Sequence, residues 1–352
     1  MMKNHILVAS FLAVLLSWVG GSTALAQDQV IFYDRTKRIE TTASGKITGE
    51  DSSAVTVQGT LGARKIPAID IIDVVYTVRP ALGPDYRRAR TAEQNVAKDP
   101  QADPQEVIDL YKSLRGELLK EMQQNAVRHM DFKIASMMIV KAQRGAANVA
   151  DAATAMDLFI KDNPGAWQVI SGGKQLASLY LAQDQFEKAQ QMYDELAKMP
   201  ALDKDTQLEF QLQAALMLTK AQKFADAEKR LQSLLQIIPA NSPQAMRVQV
   251  YLAQCLAGTK KFDEAEQKLK TLIDKVTDPQ LRALAMNTLG DCYLVSDRKR
   301  DALWQYLWVD VIYNQDRQER LKAVRNLAAL FDEFGEETRA QRYKELLKEM
   351  SK

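Results

Sequence analysis

The amino-acid sequence predicts a mainly α fold, an α-solenoid of helix pairs preceded by a small all-β domain. Three observations carry this expectation. Pairs of small residues 12 positions apart recur every 37 or 38 residues from residue 140 onwards. Leucines and aromatics keep a fixed register around each pair. A stretch near the N-terminus consists of short β-branched segments broken by turn residues. The 352 residues suffice for two or more domains, and 46% apolar with 26% charged residues is ordinary for a soluble chain.

The chain opens with Lys3, an apolar run "ILVASFLAVLLSWV", and "GGSTALA" with Ala24 and Ala26 at small-residue positions. This pattern is that of a secretory signal peptide over 1–26, with cleavage expected between Ala26 and Gln27. At 14 residues the run falls short of the ~20 that span a bilayer. The expectation is therefore an exported protein, periplasmic or secreted, with no integral membrane span after cleavage. No cysteine lies near the cleavage point, which argues against a lipid anchor. Removing Lys3 lowers the formal charge from +2 to +1, since residues 1–26 hold no acid. So balanced a chain is not expected to bind nucleic acid, which needs clustered basic surface. The one dense basic cluster, "YRRAR" at 86–90, reads as a solvated face.

Residues 27–78 carry "QVIFYD", "GKITGED", "AVTVQGT", "ARKIPA" and "IDVVYTV", separated by Gly, Ser or Asp. They predict a meander of about five strands, enough for a small barrel of SH3-like or Sm-like shape. Its role is open between a module docked on the helices and a binder of wall glycan or peptide. An exposed aromatic row drawn from Phe32, Tyr33 and Tyr76 would favour the second. Residues 79–103 mix Pro, Gly and charge and are expected to form a linker with one helical turn set in its middle. A single helix over 104–127 is expected to cap the stack within 104–131, because an end repeat otherwise exposes apolar surface.

The repeats occupy 132–352. Their paired small residues are Val140 and Ala152, Ala177 and Ala189, Ala215 and Ala227, Ala253 and Ala265, Gly290 and Ala302, Ala328 and Ala340. The second members step by 37, 38, 38, 37 and 38 residues. Three after the first member come Tyr180, Leu218, Leu256, Tyr293 and Phe331, and four after the second come Tyr193, Leu231, Leu269 and Tyr306. Spacings of three and four share one helical face, so each unit is two amphipathic helices. Gly290 costs its helix about 1 kcal/mol against alanine. A close crossing of two helices is the expected reason, since a larger side chain would hold the backbones apart.

The turn segments "QFEKA" (185–189), "KFADA" (223–227) and "KFDEA" (261–265) place Phe186, Phe224 and Phe262 at 38-residue intervals. With the small residues, they resemble the tetratricopeptide repeat (TPR) family. The last two units depart from its pattern, since "KRDA" and "ETRA" lack the aromatic, and the period exceeds the family's 34. The resemblance implies a right-handed superhelix of about six TPR-like helix pairs. It also implies a concave groove, lined by the first helices, for proteins or peptides. Carried over residue by residue, that groove holds Lys174, Ser178, Glu209, Leu216, Arg247, Gln254, Asn287, Asp291, Arg325 and Asp332. Their mixed signs disfavour capture of a C-terminal carboxylate.

The motifs of catalysis are missing. No G-x-S-x-G elbow, P-loop, H-E-x-x-H or dinucleotide fingerprint occurs. "SGGK" at 171–174 lacks the upstream glycine of a phosphate loop and reads as a flexible helix start. After loss of His5 only His129 could serve a His-dependent triad. Cys255 and Cys292, 37 apart, fit no metal or redox spacing and are expected to be free, packed thiols. A non-enzymatic scaffold or assembly factor without metal or cofactor follows as the expected function, with a glycan or cell-wall binder as alternative. Trp304 and Trp308, four apart, make their helix apolar all round. Core packing is the expected explanation, with a partner patch as the other.

Overall fold

A computed structural model describes residues 27–350, so the expected signal peptide lies outside the described residues. Contacts divide the chain into two compact units, Met1–Gln207 and Leu208–Lys352. Each is described by itself.

The first unit begins with five strands, β1 (Asp28–Asp34), β2 (Ile39–Glu50), β3 (Ala54–Gly59), β4 (Gly62–Pro67) and β5 (Ile71–Val75). All pairs are antiparallel, in the order β4-β3-β2-β1-β5. The 3₁₀ turn Ala68–Asp70 carries the chain from one edge of the sheet to the other, as a small barrel-like meander requires. Alternation along the strands buries Val30, Phe32, Val55, Val57, Ile66 and Val74.

Two sequence expectations change at the next segment. Residues 79–103 do not form a linker. After the 3₁₀ turn Pro80–Leu82 they fold as the 16-residue helix α1 (Gly83–Lys98). Its buried residues, Tyr86, Ala89 and Val96, hold a helical spacing that the polar composition obscures. Within "YRRAR", Arg87 and Arg88 are exposed as expected, whereas Arg90 turns inward. The expected single helix over 104–127 is also broken. It gives α2 (Pro104–Lys120) and the start of α3 (Gln124–Gln143). Met122 adopts a left-handed φ of 54°, and the Gln123 amide donates to the Leu118 carbonyl at 3.2 Å, which reverses the chain without glycine or proline.

The expected pairs follow as α3 with α4 (Val149–Asp162), α5 (Gln168–Ala182) with α6 (Phe186–Ala197), and α7 (Lys204–Lys220) with α8 (Phe224–Leu235). Then come α9 (Pro243–Gly258) with α10 (Phe262–Lys275), α11 (Pro279–Val295) with α12 (Lys299–Val311), and α13 (Arg317–Glu333) with α14 (Glu337–Met350). Every alanine of the repeating pairs is buried. Phe186, Phe224 and Phe262 each open a second helix. From the second pair onward, the turn inside the pair uses one device. Asp184, Gln222, Lys260, Asp297 and Gly335 have φ between 55° and 71°. The next amide donates back to the aromatic or leucine position, as in Lys223 to Leu218 at 2.9 Å and Glu336 to Phe331 at 2.9 Å. That is the Schellman closure of a helix C-terminus.

"SGGK" is corrected as well. Gly172 and Gly173 lie inside α5, where α4 and α6 press from both sides. A methyl at Gly172 would sit 2.8 Å from Met156 Sδ, and one at Gly173 would sit 2.9 Å from Leu196 Cδ2. The glycines serve close packing rather than flexibility.

Candidate protein-binding surface

Four of the six charged residues expected to line a groove are occupied in ion pairs. In the second unit, Arg247 on α9 bonds Glu209 on α7. Asp291 on α11 bonds Lys322 on α13. Asn287 is buried, donating through Nδ2 to the Glu319 carbonyl at 2.9 Å and to Glu319 Oε2 at 2.7 Å. Burial raises the Glu319 carboxyl, while Asn287 and Lys322 oppose that. Asp332 takes a bond from Lys344 on α14 at 2.7 Å. Mixed signs along the first helices thus have a structural use, since opposite charges one repeat apart stitch neighbouring pairs. Asn287 is accordingly corrected from groove residue to buried strut. Ser178, Leu216 and Gln254 are half-buried. Lys174 and Arg325 are exposed and have no carboxylate partner among the described residues. The protein around Lys174 pulls its ammonium below the ordinary lysine value, although the residue as a whole is exposed.

The chemistry-bearing side chains of the first unit are packed away. Asp73 on β5 meets Lys133 Nζ at 2.9 Å, His129 Nε2 at 3.2 Å and Arg90 Nη2 at 3.4 Å. Lys133 also meets Glu93 at 2.8 Å, and Glu93 accepts from the Tyr111 hydroxyl at 2.6 Å. On the same side, Glu50 of β2 accepts from Tyr76 at 2.8 Å and from Arg128 at 3.0 Å. This buried network joins the β-sheet to α1, α2 and α3. Such pairing suits a docked module, because buried charges are tolerated only when paired. His129 is therefore committed to Asp73, between the rings of Tyr76 and Trp167. Of the aromatic row considered for glycan binding, Phe32 and Tyr76 are buried and only Tyr33 is exposed. That row does not exist.

Among the described residues, no group of three or more His, Cys, Asp and Glu is arranged to hold a metal. Cys255 and Cys292 are free and buried, and burial pushes their thiols up to about 11 and about 12.

Contrary to the core expectation, α12 and the residue after it carry four exposed large apolar side chains. Tyr306 fills the core with no exposure, while Trp304, Trp308, Val311 and Ile312 stand 62%, 48%, 61% and 47% exposed. Trp304, Trp308 and Val311 follow a spacing of four and three, which places them in one stripe. The other repeats supply an internal control. The place of Trp304 is held by Thr154, Gln191, Lys229, Gln267 and Arg342. The place of Trp308 is held by Leu158, Glu195, Ser233, Thr271 and Leu346, and that of Val311 by Lys161, Lys198, Gln236, Asp274 and Glu349. The fold thus does not require tryptophan at either position. Comparing the repeats with one another is the signal by which sequence alone could have found the stripe.

These features define a class of protein, one built of TPR-like helix pairs that follow a five-stranded antiparallel sheet in the sequence. Comparison with known proteins agrees. A family model described as tetratricopeptide repeat matches residues 218–287. Among solved structures, a tetratricopeptide repeat protein from Parabacteroides merdae is 16% identical with a TM-score of 0.50, over 76% of this chain and 99% of that one. A Rap protein complexed with Competence and Sporulation Factor is 13% identical with a TM-score of 0.47, over 77% of this chain and 75% of that one. The C-terminal part of a TPR repeat-containing protein from Cytophaga hutchinsonii is 12% identical with a TM-score of 0.39, over 74% and 93%. No curated protein matches. The chain therefore resembles tetratricopeptide repeat proteins, in sequence over 218–287 and in fold through the helix pairs.

Proposed function

We propose that the protein is a non-enzymatic scaffold or assembly factor of the bacterial cell envelope. In this reading it is exported through the signal at 1–26 and holds a partner protein on the exposed face of α12. The α12 stripe carries the reading. Two tryptophans remain partly in water at positions where sister repeats carry mostly polar residues, and exposed Trp is enriched at binding hot spots. The repeat fold supports it, since stacked helix pairs present long surfaces to other proteins. Crosslinking capture from envelope extract tests it with three baits: the native protein, Trp304→Ala/Trp308→Ala, and Lys174→Glu/Arg325→Glu. A specific protein recovered by the native and charge-reversed baits, and lost with the tryptophan variant, supports the reading. Loss with the charge variant alone moves the contact to the first-helix face. Equal recovery by all three baits removes the stripe from the argument.

A further inference from the structure

From the same α12 face, and resting on the scaffold reading, we infer the partner's chemistry: a short amphipathic helix of two to three turns. It carries apolar side chains spaced to meet Trp304, Trp308 and Val311, and an acidic residue at the end that meets Arg300. The dimensions come first. From residue 304 to residue 312 the stripe advances about 12 Å at 1.5 Å per residue, the length of about two helical turns. Its four side chains expose roughly 400 Å², taking exposed fractions of residues of the sizes usual for Trp, Val and Ile. That is a patch of the scale of an interaction site, yet about half of the ~800 Å² per partner of a stable globular interface. A helix-sized ligand fits this area better than a second globular surface.

Charge then fixes one end. Four residues of α12 are charged. Lys299 meets Asp297 at 3.3 Å and Glu333 at 2.6 Å, Asp301 meets Arg298 at 2.7 Å, and Asp310 meets Arg320 at 2.9 Å. Arg300, exposed one turn before Trp304, forms no ion pair among the described residues, since its neighbour Asp301 is held by Arg298. It also stands in the first turn of its helix, where the backbone dipole is itself positive and disfavours a cation. A partner carboxylate placed there would offset both. At the other end, Asn314 and Gln315 are neutral.

Panning a display library of 14-residue helical peptides on the purified protein tests this directly. The selected peptides are expected to carry apolar residues at i, i+4 and i+7 with Asp or Glu about one turn beyond. Their affinity should fall at least tenfold on Trp304→Ala/Trp308→Ala. It should also fall on Arg300→Glu and return when the peptide's acid is replaced by lysine. Peptides that depend on the tryptophans but show no acid preference and no charge-swap rescue overturn the assigned partner and leave the scaffold reading standing. Absence of any tryptophan-dependent peptide overturns the inference. If the bait experiment also fails, the scaffold reading falls with it. Two parallel measurements name the other occupants. Binding to phosphatidylglycerol vesicles, or concentration-dependent dimerisation in sedimentation, lost in the tryptophan variant and without peptide binding, overturns a helical partner for a lipid surface or a second copy.

Discussion

Gly290 on α11 and Tyr306 on α12 share one volume. A Cβ built on the glycine would lie 2.7 Å from Cε1 and 2.8 Å from Cζ of the tyrosine ring. The ring lies over the gap while its hydroxyl donates to Asp291 Oδ1 at 2.7 Å, which pins it in place. Gly290→Ala would gain about 1 kcal/mol of helix propensity. It would also force a pinned ring and two helices apart, and overpacking costs about 1–3 kcal/mol. A lower urea midpoint is expected despite the better helix former, with part of the loss regained in Gly290→Ala/Tyr306→Leu. A midpoint that rises would mean that the ring moves freely.

The left-handed turn residues predict the opposite sign for glycine. Gln222 and Lys260 hold φ of 60° and 65°, where Gly335 holds 71° in the last repeat. An L side chain pays about 1–2 kcal/mol for this conformation, against 0.5–1 kcal/mol of extra chain entropy lost by glycine. Gln222→Gly and Lys260→Gly should each stabilise by up to about 1 kcal/mol, and Gly335→Ala should destabilise by a similar amount. Chemical denaturation of the three variants checks all of it. Destabilisation by both glycine substitutions would show that side-chain contacts at the turns outweigh backbone strain.

The two cases mark what was legible in the sequence. Gly290 could be read because a close crossing demands a small residue at a fixed step, and the step recurs. The turn was legible as a turn, but its left-handed residue was not, since Asp184, Gln222, Lys260 and Asp297 are chosen by solvent as much as by φ. α1 escaped because its buried edge is only three residues wide within a polar segment. The buried Asp73 cluster escaped because its members lie on β5, α1 and α3, and only the fold brings them together. For α12 the residue types were right and the face was wrong. A helix apolar all round gives periodicity no means of saying which side is covered, whereas Tyr306 keeps the register of Leu231 and Leu269 and the tryptophans do not.

The same burial that silences the cysteines can be measured. With thiols at about 11 and about 12, Cys255 and Cys292 hold almost no thiolate at pH 8. Both are free. The native protein should react with a disulfide reagent at least a hundredfold more slowly than the unfolded chain, and both thiols should appear together with global opening of the second unit. Fast reaction of one thiol would reveal local opening of α9 or α11.

His129 gives the pH dependence of the first unit a distinct signature. Burial lowers its imidazole below the ordinary value, and the nearby Asp73 only partly restores it against Lys133. The unfolded chain therefore takes up a proton near pH 6.5 that the folded chain refuses. Stability is full above about 6.5 and falls as the pH drops below it, by at most about 1.4 kcal/mol per pH unit for one site. Asp73 acts lower on the scale. Burial alone would raise its carboxyl, but Lys133, His129 and Arg90 together hold it far below the usual carboxylate range. Its contribution is present above about 3.8 and is lost as the pH falls below that. The chain's other histidine, His5, lies outside the described residues, so between pH 5 and 6.5 His129 is the histidine whose folded environment sets the slope. The denaturation midpoint should decline with acid across that window in the wild type and flatten in His129→Gln, whatever the variant's absolute stability. Lys133→Met should cost about 3 kcal/mol at neutral pH, since it removes the cation shared by Asp73 and Glu93 and leaves the buried Asp73 carboxylate to Arg90 and His129. An equal slope from pH 6.5 to 5 in the wild type and in His129→Gln would mean that His129 stays protonated in the folded state, drawn up by Asp73 more strongly than burial holds it down.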